Sequence, residues 1–372
     1  MHLTLVAGAR PNFMKIAPLI RAIEATRGEL SFRLVHTGQH YDHAMNQVFF
    51  DELGLPPPDA SLGCGGGTHA EQTAAILKAF EADLIAYRPD CVVVVGDVNS
   101  TLACALSAKK LGICVAHVEA GLRSGDRGMP EEINRLATDA ISDLFFVTEP
   151  SAIEHLKREG QPEERVHMVG HVMVDNLFFQ LEKLRREGVP ESDARRIKAR
   201  LQGAAQRGPY AVVTLHRPAN VDDPVAFARI ASGLRRVSER LPIVFPAHPR
   251  TSARLAGLGI DLGPAVHLTG PLAYMDFLNL WSDAALVLTD SGGLQEETTA
   301  LGVRCVTLRE TTERPVTISH GTNRLAGTTE AGIVEAVQEA LDRPPSTNRP
   351  PLWDGKAAER ITAVMIRVAT VV

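Results

Sequence analysis

The sequence predicts an α/β protein made of two successive parallel-sheet units, and three observations carry that reading. Short β-branched runs alternate with stretches of helical character, a charged and breaker-poor segment interrupts them from residue 175 to 207, and the alternation then resumes. Continuously apolar strands belong to parallel sheets that helices cover on both faces. A length of 372 residues also exceeds what one hydrophobic core usually supports, so two domains are the default expectation.

The elements follow in order. The first strands are HLTLVA (2–7), RLVH (33–36), CVVVVG (91–96), ICVAHV (113–118) and LFFV (144–147). After Phe13, the residues Ile16, Leu19, Ile20 and Ile23 share one helical face, although Pro18 should kink that helix or shift its start. Thr68-His69-Ala70-Glu71 has capping-box spacing ahead of a long helix. The pattern returns with YAVVTL (210–215), PIVFP (242–246), ALVLT (285–289) and RCVTL (304–308), PPSTNRPP (344–351) reads as a linker, and GKAAERITAVMIRVATVV closes the chain as a helix. This organisation predicts a first domain over 1–172, a helical connection over 173–207 and a second domain over 208–352.

Composition narrows the class. With 45% hydrophobic and 22% charged residues, the chain is an ordinary soluble globular protein. A net charge of −5 gives no general pull toward nucleic acid or an anionic membrane. Cys64, Cys91, Cys104, Cys114 and Cys305 form no CxxC pair and read as buried thiols of a reducing compartment. The N-terminus lacks the leading cations of a signal peptide and no segment has the length of a membrane span, so a cytoplasmic location is expected.

Polar residues recur where parallel sheets hold ligands, beyond the carboxyl ends of strands. Arg10, Asp97, Glu119, His216 and Ser291 each end or follow a strand, and both halves contribute, which suggests one cleft between two domains. In TDSGGLQEE (289–297), a strand end leads through Ser291, Gly292 and Gly293 into a helix with Glu296 and Glu297. Such a glycine pair lets backbone N–H groups approach an anion, though it also serves a tight turn. GARPNFMK (8–15) repeats the idea with Arg10 and Lys15, so a diphosphate bearing a sugar and a nucleoside fits both turns. There is no G-x-G-x-x-G after a strand and no GxxxxGK[ST], which argues against nicotinamide redox and P-loop chemistry. His36, His40 and His43 cluster in HTGQHYDH without a metal-ligand spacing and read as surface or supporting histidines.

Taken together, GARPNFMKIAP, GDVNSTLA, HVEAGLRS, MPEEINR, LHRPAN, DSGGLQEE and TTERP, in this order, resemble the non-hydrolysing UDP-N-acetylglucosamine 2-epimerases over residues 3–327. The resemblance implies a glycosyltransferase-B-type fold of two Rossmann-like domains, a C-terminal helix (353–372) returning to the first domain, and a homodimer. It implies interconversion of UDP-N-acetylglucosamine and UDP-N-acetylmannosamine without added metal or redox cofactor. The family's catalytic groups fall on Asp97, Glu119, Glu131 and His216. Its nucleotide-sugar contacts fall on Arg10, Lys15, His248, Phe277, Ser291, Gly292, Gly293, Glu297 and Arg314, and Arg217 joins them as a cation beside the histidine.

In HVEAGLRSGDRGMPEEINR (117–135), Glu119 and Glu131 are then the working groups. Pro130 should open a helix whose first turn favours Glu132 for its dipole alone, while Asp126, Arg127 and Arg135 are expected in loop or ion-pair roles. The chain departs from many members at Pro218 and Ala219, and at Tyr41 in QHY, close to where some members bind a second, regulatory UDP-N-acetylglucosamine. The competing functions are a hydrolysing epimerase, an epimerase of another UDP-2-acetamido sugar, a glycosyltransferase and a non-catalytic sensor. A transferase has no use for three acid/base carboxylates, and a sensor would have lost them.

Overall fold

The computed structural model describes residues 1–38, 50, 53–189, 191–203, 209–344 and 348–370, with backbone only at Arg10 and Gln202. Gln39, His40, Tyr41 and His43 lie outside the described residues, as does 345–347 of the expected linker. The chain divides into two compact units, residues 1–178 with 351–372 and residues 179–350. Among the described residues no helix is long and apolar enough to cross a membrane.

The first unit is a seven-stranded sheet of β1 (His2–Ala7), β2 (Ser31–His36), β3 (Ala60–Ser61), β4 (Cys91–Val95), β5 (Cys114–Val118), β6 (Leu144–Val147) and β7 (Val166–Met168). Its order is 3-2-1-4-5-6-7, and every neighbouring pair is parallel. The CVVVV run of β4 is apolar throughout because both faces are covered. Cys91, Val93 and Val95 pack into the cluster that holds Ile16, Leu19, Ile20 and Ile23, while Val92 and Val94 pack against Ile76, Phe80 and Leu84. Pro18 sits inside a continuous helix, Arg10–Ala25, so the expected shift of its start does not occur. An internal proline costs about 3 kcal/mol, and the buried face of that helix on the sheet outweighs it. The capping box forms as expected, with Thr68 Oγ1 accepting from Glu71 N at 3.2 Å and Glu71 Oε2 accepting from Thr68 N at 2.8 Å.

The second unit is a six-stranded parallel sheet of β8 (Ala211–Thr214), β9 (Ile243–Pro246), β10 (Val266–Thr269), β11 (Leu286–Thr289), β12 (Cys305–Thr307) and β13 (Asn323–Leu325), ordered 10-9-8-11-12-13. Counted within the unit, this is again the doubly wound order 3-2-1-4-5-6, so each unit is Rossmann-like. The order reverses direction between β1 and β4 in the first sheet and between β8 and β11 in the second. Those are the two places where side chains at strand carboxyl ends converge.

The helix Val172–Glu187 runs across the division between the units, and Asp193–Gly203 packs on β9, β10 and the helix Tyr274–Trp281. The closing helix, Ala357–Ala369, packs on Arg10–Ala25. Its N-terminus is capped by Asp175, which accepts from Ala357 N at 3.1 Å and Ala358 N at 2.7 Å. His36 is buried at the end of β2, with the Phe13 ring edge-on at 5.1 Å, which removes the surface alternative and leaves the supporting one. All five thiols are free, and four are buried while Cys114 is half-buried. Cys91 and Cys114 are directly paired on neighbouring strands, with their sulfurs 3.3 Å apart.

Candidate active site

In the first unit the turn after β1 is tied to the end of β4. Asn12 Oδ1 accepts from Gly8 N at 3.2 Å and Ala9 N at 2.8 Å, and Asn12 Nδ2 donates to the Val95 carbonyl at 3.0 Å. One turn further along the same helix, Lys15 pairs with the Glu119 carboxylate. Gly96 is favoured by its φ of +69°, and a Cβ there would stand 2.8 Å from Lys15 Nζ, so a side chain at this position would displace the lysine head. Glu119 is buried and has φ of +74°. A non-glycine residue in the left-handed region costs roughly 1–2 kcal/mol, and such outliers concentrate where function holds them. The conformation is held by the Glu119 and Ala120 amides, which both donate to the Phe146 carbonyl at 2.9 and 3.2 Å.

Pro130 opens the helix Pro130–Ile141 as expected. Glu131 points outward and is exposed, whereas Glu132 is buried and wired into the loop before it. Glu132 accepts from the Ser124 and Gly125 amides, each at 3.0 Å, and from Arg135 Nη2 at 2.8 Å. Burial works against its ionised form, but those amides and Arg135 outweigh burial and hold the carboxyl below its usual range. Arg135 also reaches Asp97 Oδ2 at 2.5 Å, which joins the carboxylate after β4 to the helix that carries Glu131. The structural roles expected of Glu132 and Arg135 are therefore ion pairs and amide hydrogen bonds. Asp126 closes its own turn by accepting from Gly128 N at 2.8 Å.

Behind Asp97 and Glu119 lies a fully buried pair that sequence reasoning did not assign. His117 Nε2 donates to the Gly96 carbonyl at 2.8 Å, and its Nδ1 meets Asp139 Oδ1 at 2.6 Å. The other Asp139 oxygen accepts from Gly121 N at 3.0 Å and pairs with Arg123 at 2.7 Å. Burial raises the cost of charging Asp139, yet His117 and Arg123 outweigh it and the carboxyl lies below its usual range. The pair thus links the residue before Asp97 to the turn after Glu119.

In the second unit the same strand-end logic places His216 beside Asp290. His216 Nδ1 lies 2.7 Å from Asp290 Oδ1, and the His216 side chain is 60% exposed while Asp290 is fully buried. Burial again opposes the Asp290 charge, but the hydrogen bond and charge of His216 together with two backbone amides pull its carboxyl below the usual range. Ser291 occupies the N-cap position of the helix Gly292–Leu301 without a side-chain capping hydrogen bond, and the first residues of that helix are the glycine pair. Neither Gly292 nor Gly293 has a positive φ, and a Cβ on either would meet nothing within 4 Å. The fold therefore leaves the space where a side chain would stand at these two positions open.

Arg217 donates through Nε to the Asp290 carbonyl at 3.1 Å and lies 3.4 Å from Glu313. Despite partial burial, Arg309 holds Glu313 at about 2. Arg314 pairs with Glu296, and Glu297 accepts from the hydroxyl of half-buried Tyr274 at 3.2 Å. Phe277 is half-buried on the helix that carries Tyr274. His248 is exposed and caps its own helix, its Nδ1 accepting from Arg250 N at 3.2 Å. Among the described residues no cluster of three or more His, Cys, Asp or Glu could hold a metal ion.

Two Rossmann-like units with titratable clusters at their switch points put the chain among the two-domain α/β proteins that hold ligands at strand carboxyl ends. Residues 21–366 match the family model described as UDP-N-acetylglucosamine 2-epimerase, and the chain belongs to that family. It is 40% identical to the UDP-N-acetylglucosamine 2-epimerase of Methanocaldococcus jannaschii, covering 98% of this chain and 99% of the relative. A Pseudomonas aeruginosa relative, a UDP-2,3-diacetamido-2,3-dideoxy-D-glucuronate 2-epimerase, is 38% identical over 99% of this chain and 100% of its own. The crystal structure of the M. jannaschii enzyme in complex with UDP-GlcNAc and UDP matches 99% of this chain and 100% of that one, with TM-score 0.83 and 39% identity.

Proposed function

We propose that the protein interconverts UDP-N-acetylglucosamine and UDP-N-acetylmannosamine and retains the nucleotide, by eliminating UDP and adding it back. The observation that carries this reading is the open helix start at Gly292 and Gly293 next to the paired His216. A helix N-terminus with exposed amides stabilises a diphosphate as charge develops on it. The M. jannaschii relative, crystallised with UDP-GlcNAc and UDP, supports the ligand class.

The C2 hydrogen of the sugar is not adjacent to a carbonyl, so direct deprotonation is very unfavourable. In the proposed reaction the C1–O bond breaks and its electron pair leaves with the diphosphate, making C1 electron-deficient. A carboxylate then takes the C2 proton, and the C2–H pair becomes the C1–C2 double bond of a 2-acetamidoglucal. Return of a proton to the opposite face of C2, with attack of a diphosphate oxygen on C1, gives the epimer. Hydrogen leaves and returns as a proton, so the balance requires no redox cofactor. Inversion needs acid/base groups on both faces, the task assigned to Asp97, Glu119 and Glu131, with Lys15 beside Glu119. His216 is assigned to the leaving phosphate. Arg10, Lys15, Arg217, His248, Phe277, Ser291, Gly292, Gly293, Glu297 and Arg314 are assigned to the nucleotide sugar, and the active form is proposed to be a homodimer.

One observation favours a second substrate. The P. aeruginosa relative, nearly as similar over the whole chain, acts on a diacetamido uronate, so the sugar's C3 and C6 substituents are the open variable. Proton NMR in D₂O with each UDP-sugar separates the readings. Deuterium at C2 with the epimer formed and no net UDP release supports the non-hydrolysing epimerase for that sugar. Free N-acetylmannosamine with UDP would make it a hydrolysing enzyme, and no change with either sugar would overturn the proposal.

A further inference from the structure

We infer that Asp290 is a positioning residue for the reaction, fixing the tautomer and direction of the His216 ring; the inference rests on the role assigned to His216 above. Its carboxylate is itself held from several sides. Oδ1 and Oδ2 both accept from His216 N at 3.1 Å, and Oδ2 also accepts from Arg217 N at 3.0 Å and Asn220 Nδ2 at 3.2 Å. The residue's own carbonyl receives Arg217 Nε at 3.1 Å. Asp290 is completely buried and has no freedom to follow the ring, so the ring must follow it.

The consequence for His216 comes from counting donors and acceptors. An ionised carboxylate offers only acceptors, so His216 Nδ1 at 2.7 Å from it carries a hydrogen. Among the described residues Nε2 has no partner, and in this 60% exposed side chain it is the ring nitrogen left for a ligand. The other charged groups recorded around the pair are Arg217, which bridges to Glu313, and Arg309, which holds Glu313. None of them touches the imidazole, so among the described residues Asp290 is the group that orients it. During elimination His216 Nε2 then faces the departing diphosphate with one defined protonation pattern, and during re-addition it meets the same oxygen again.

The test is ¹⁵N NMR of histidine-labelled protein, with kinetics on Asp290→Asn. The neutral His216 ring of the wild type is expected as the Nδ1–H tautomer, and the variant should shift toward Nε2–H. A wild-type ring in the Nε2–H form overturns the inference outright, even if the variant fails to fold. Asp290→Asn should lower kcat about 10²–10⁴-fold with KM changed less than about threefold. In a His216→Gln background the same change should cost less than about threefold, because Asp290 acts through the ring. A full-size loss in that background, or a tautomer that does not move, overturns it. Lack of wild-type turnover on any UDP-2-acetamido sugar would overturn the functional reading alone, because the tautomer reports on Asp290 without catalysis.

Discussion

Replacing Gly292 or Gly293 with alanine separates a requirement of the fold from a requirement of a ligand. Both residues lie in the first turn of a helix, neither has a positive φ, and an added Cβ meets no atom within 4 Å. The folded protein should therefore tolerate the methyl, and helix propensity makes alanine more stable by up to about 1 kcal/mol. A phosphate seated on these amides would meet the methyl instead. Loss of even one charge-assisted hydrogen bond costs roughly 1.5 kcal/mol or more, which is about tenfold in affinity. Calorimetric titration with UDP should show affinity weakened tenfold or more, while the melting temperature holds or rises. Unchanged UDP affinity would remove the helix start from the binding site, and a lowered melting temperature would show that the glycines serve the turn.

Further predictions follow from the carboxylates. Because Glu119 has φ of +74°, Glu119→Gly should be more stable than Glu119→Ala by about 1 kcal/mol, some 2–4 °C in melting temperature, and the opposite order would refute backbone strain there. Asp97→Asn, Glu119→Gln and Glu131→Gln should each lose turnover by orders of magnitude and still bind UDP; weakened UDP binding with normal turnover per complex would make them affinity groups. Burial pushes Asp175 up to about 6 from 3.8, so the folded state binds its proton more tightly than the unfolded chain does. Its contribution to stability is thus fully present at low pH and is lost as pH rises toward about 6. Denaturant titrations of wild type and Asp175→Asn should diverge across that window, with the wild type declining more. Glu313, held at about 2, has the opposite sign: its contribution is present above the ordinary carboxyl value and is lost as pH falls toward about 2, so Glu313→Gln should flatten the acid limb of stability.

Much of this architecture was legible because central parallel strands are buried on both faces and so read as unbroken apolar runs. CVVVV and LVLT announce themselves, whereas VHM of β7, VHLT of β10 and NRL of β13 lie at sheet edges, carry little apolar signal and went unread. At Pro18 local propensity offered a kink or a shifted start, and the helix that begins at Arg10 excludes the shift, because tertiary packing permits a proline inside it. The strand-end residues were legible because parallel sheets present their carboxyl ends to ligands. Their partners were not, since His117 and Asp139 are 22 residues apart and His216 and Asp290 are 74 apart. No local pattern joins residues at such distances.

Strand order does join them. In a doubly wound sheet the first and fourth strands are neighbours, and β8 pairs with β11 in a register that sets Thr214 beside Thr289. His216 is two residues past the first of these and Asp290 one residue past the second, so once the sheet closes in parallel the ring and the carboxylate come together. The first unit repeats the logic one strand over. β4 pairs with β5 with Val95 beside Val118, which brings the end of the Asp97 turn against the Glu119 turn, and His117 can reach the Gly96 carbonyl between them. The charge concentrated in HVEAGLRSGDRGMPEEINR is thus divided. Glu132, Arg135 and Arg123 are engaged in buried pairs and loop amides, and that wiring ties the loop at Ser124 and Gly125 to the first turn of the helix that carries Glu131.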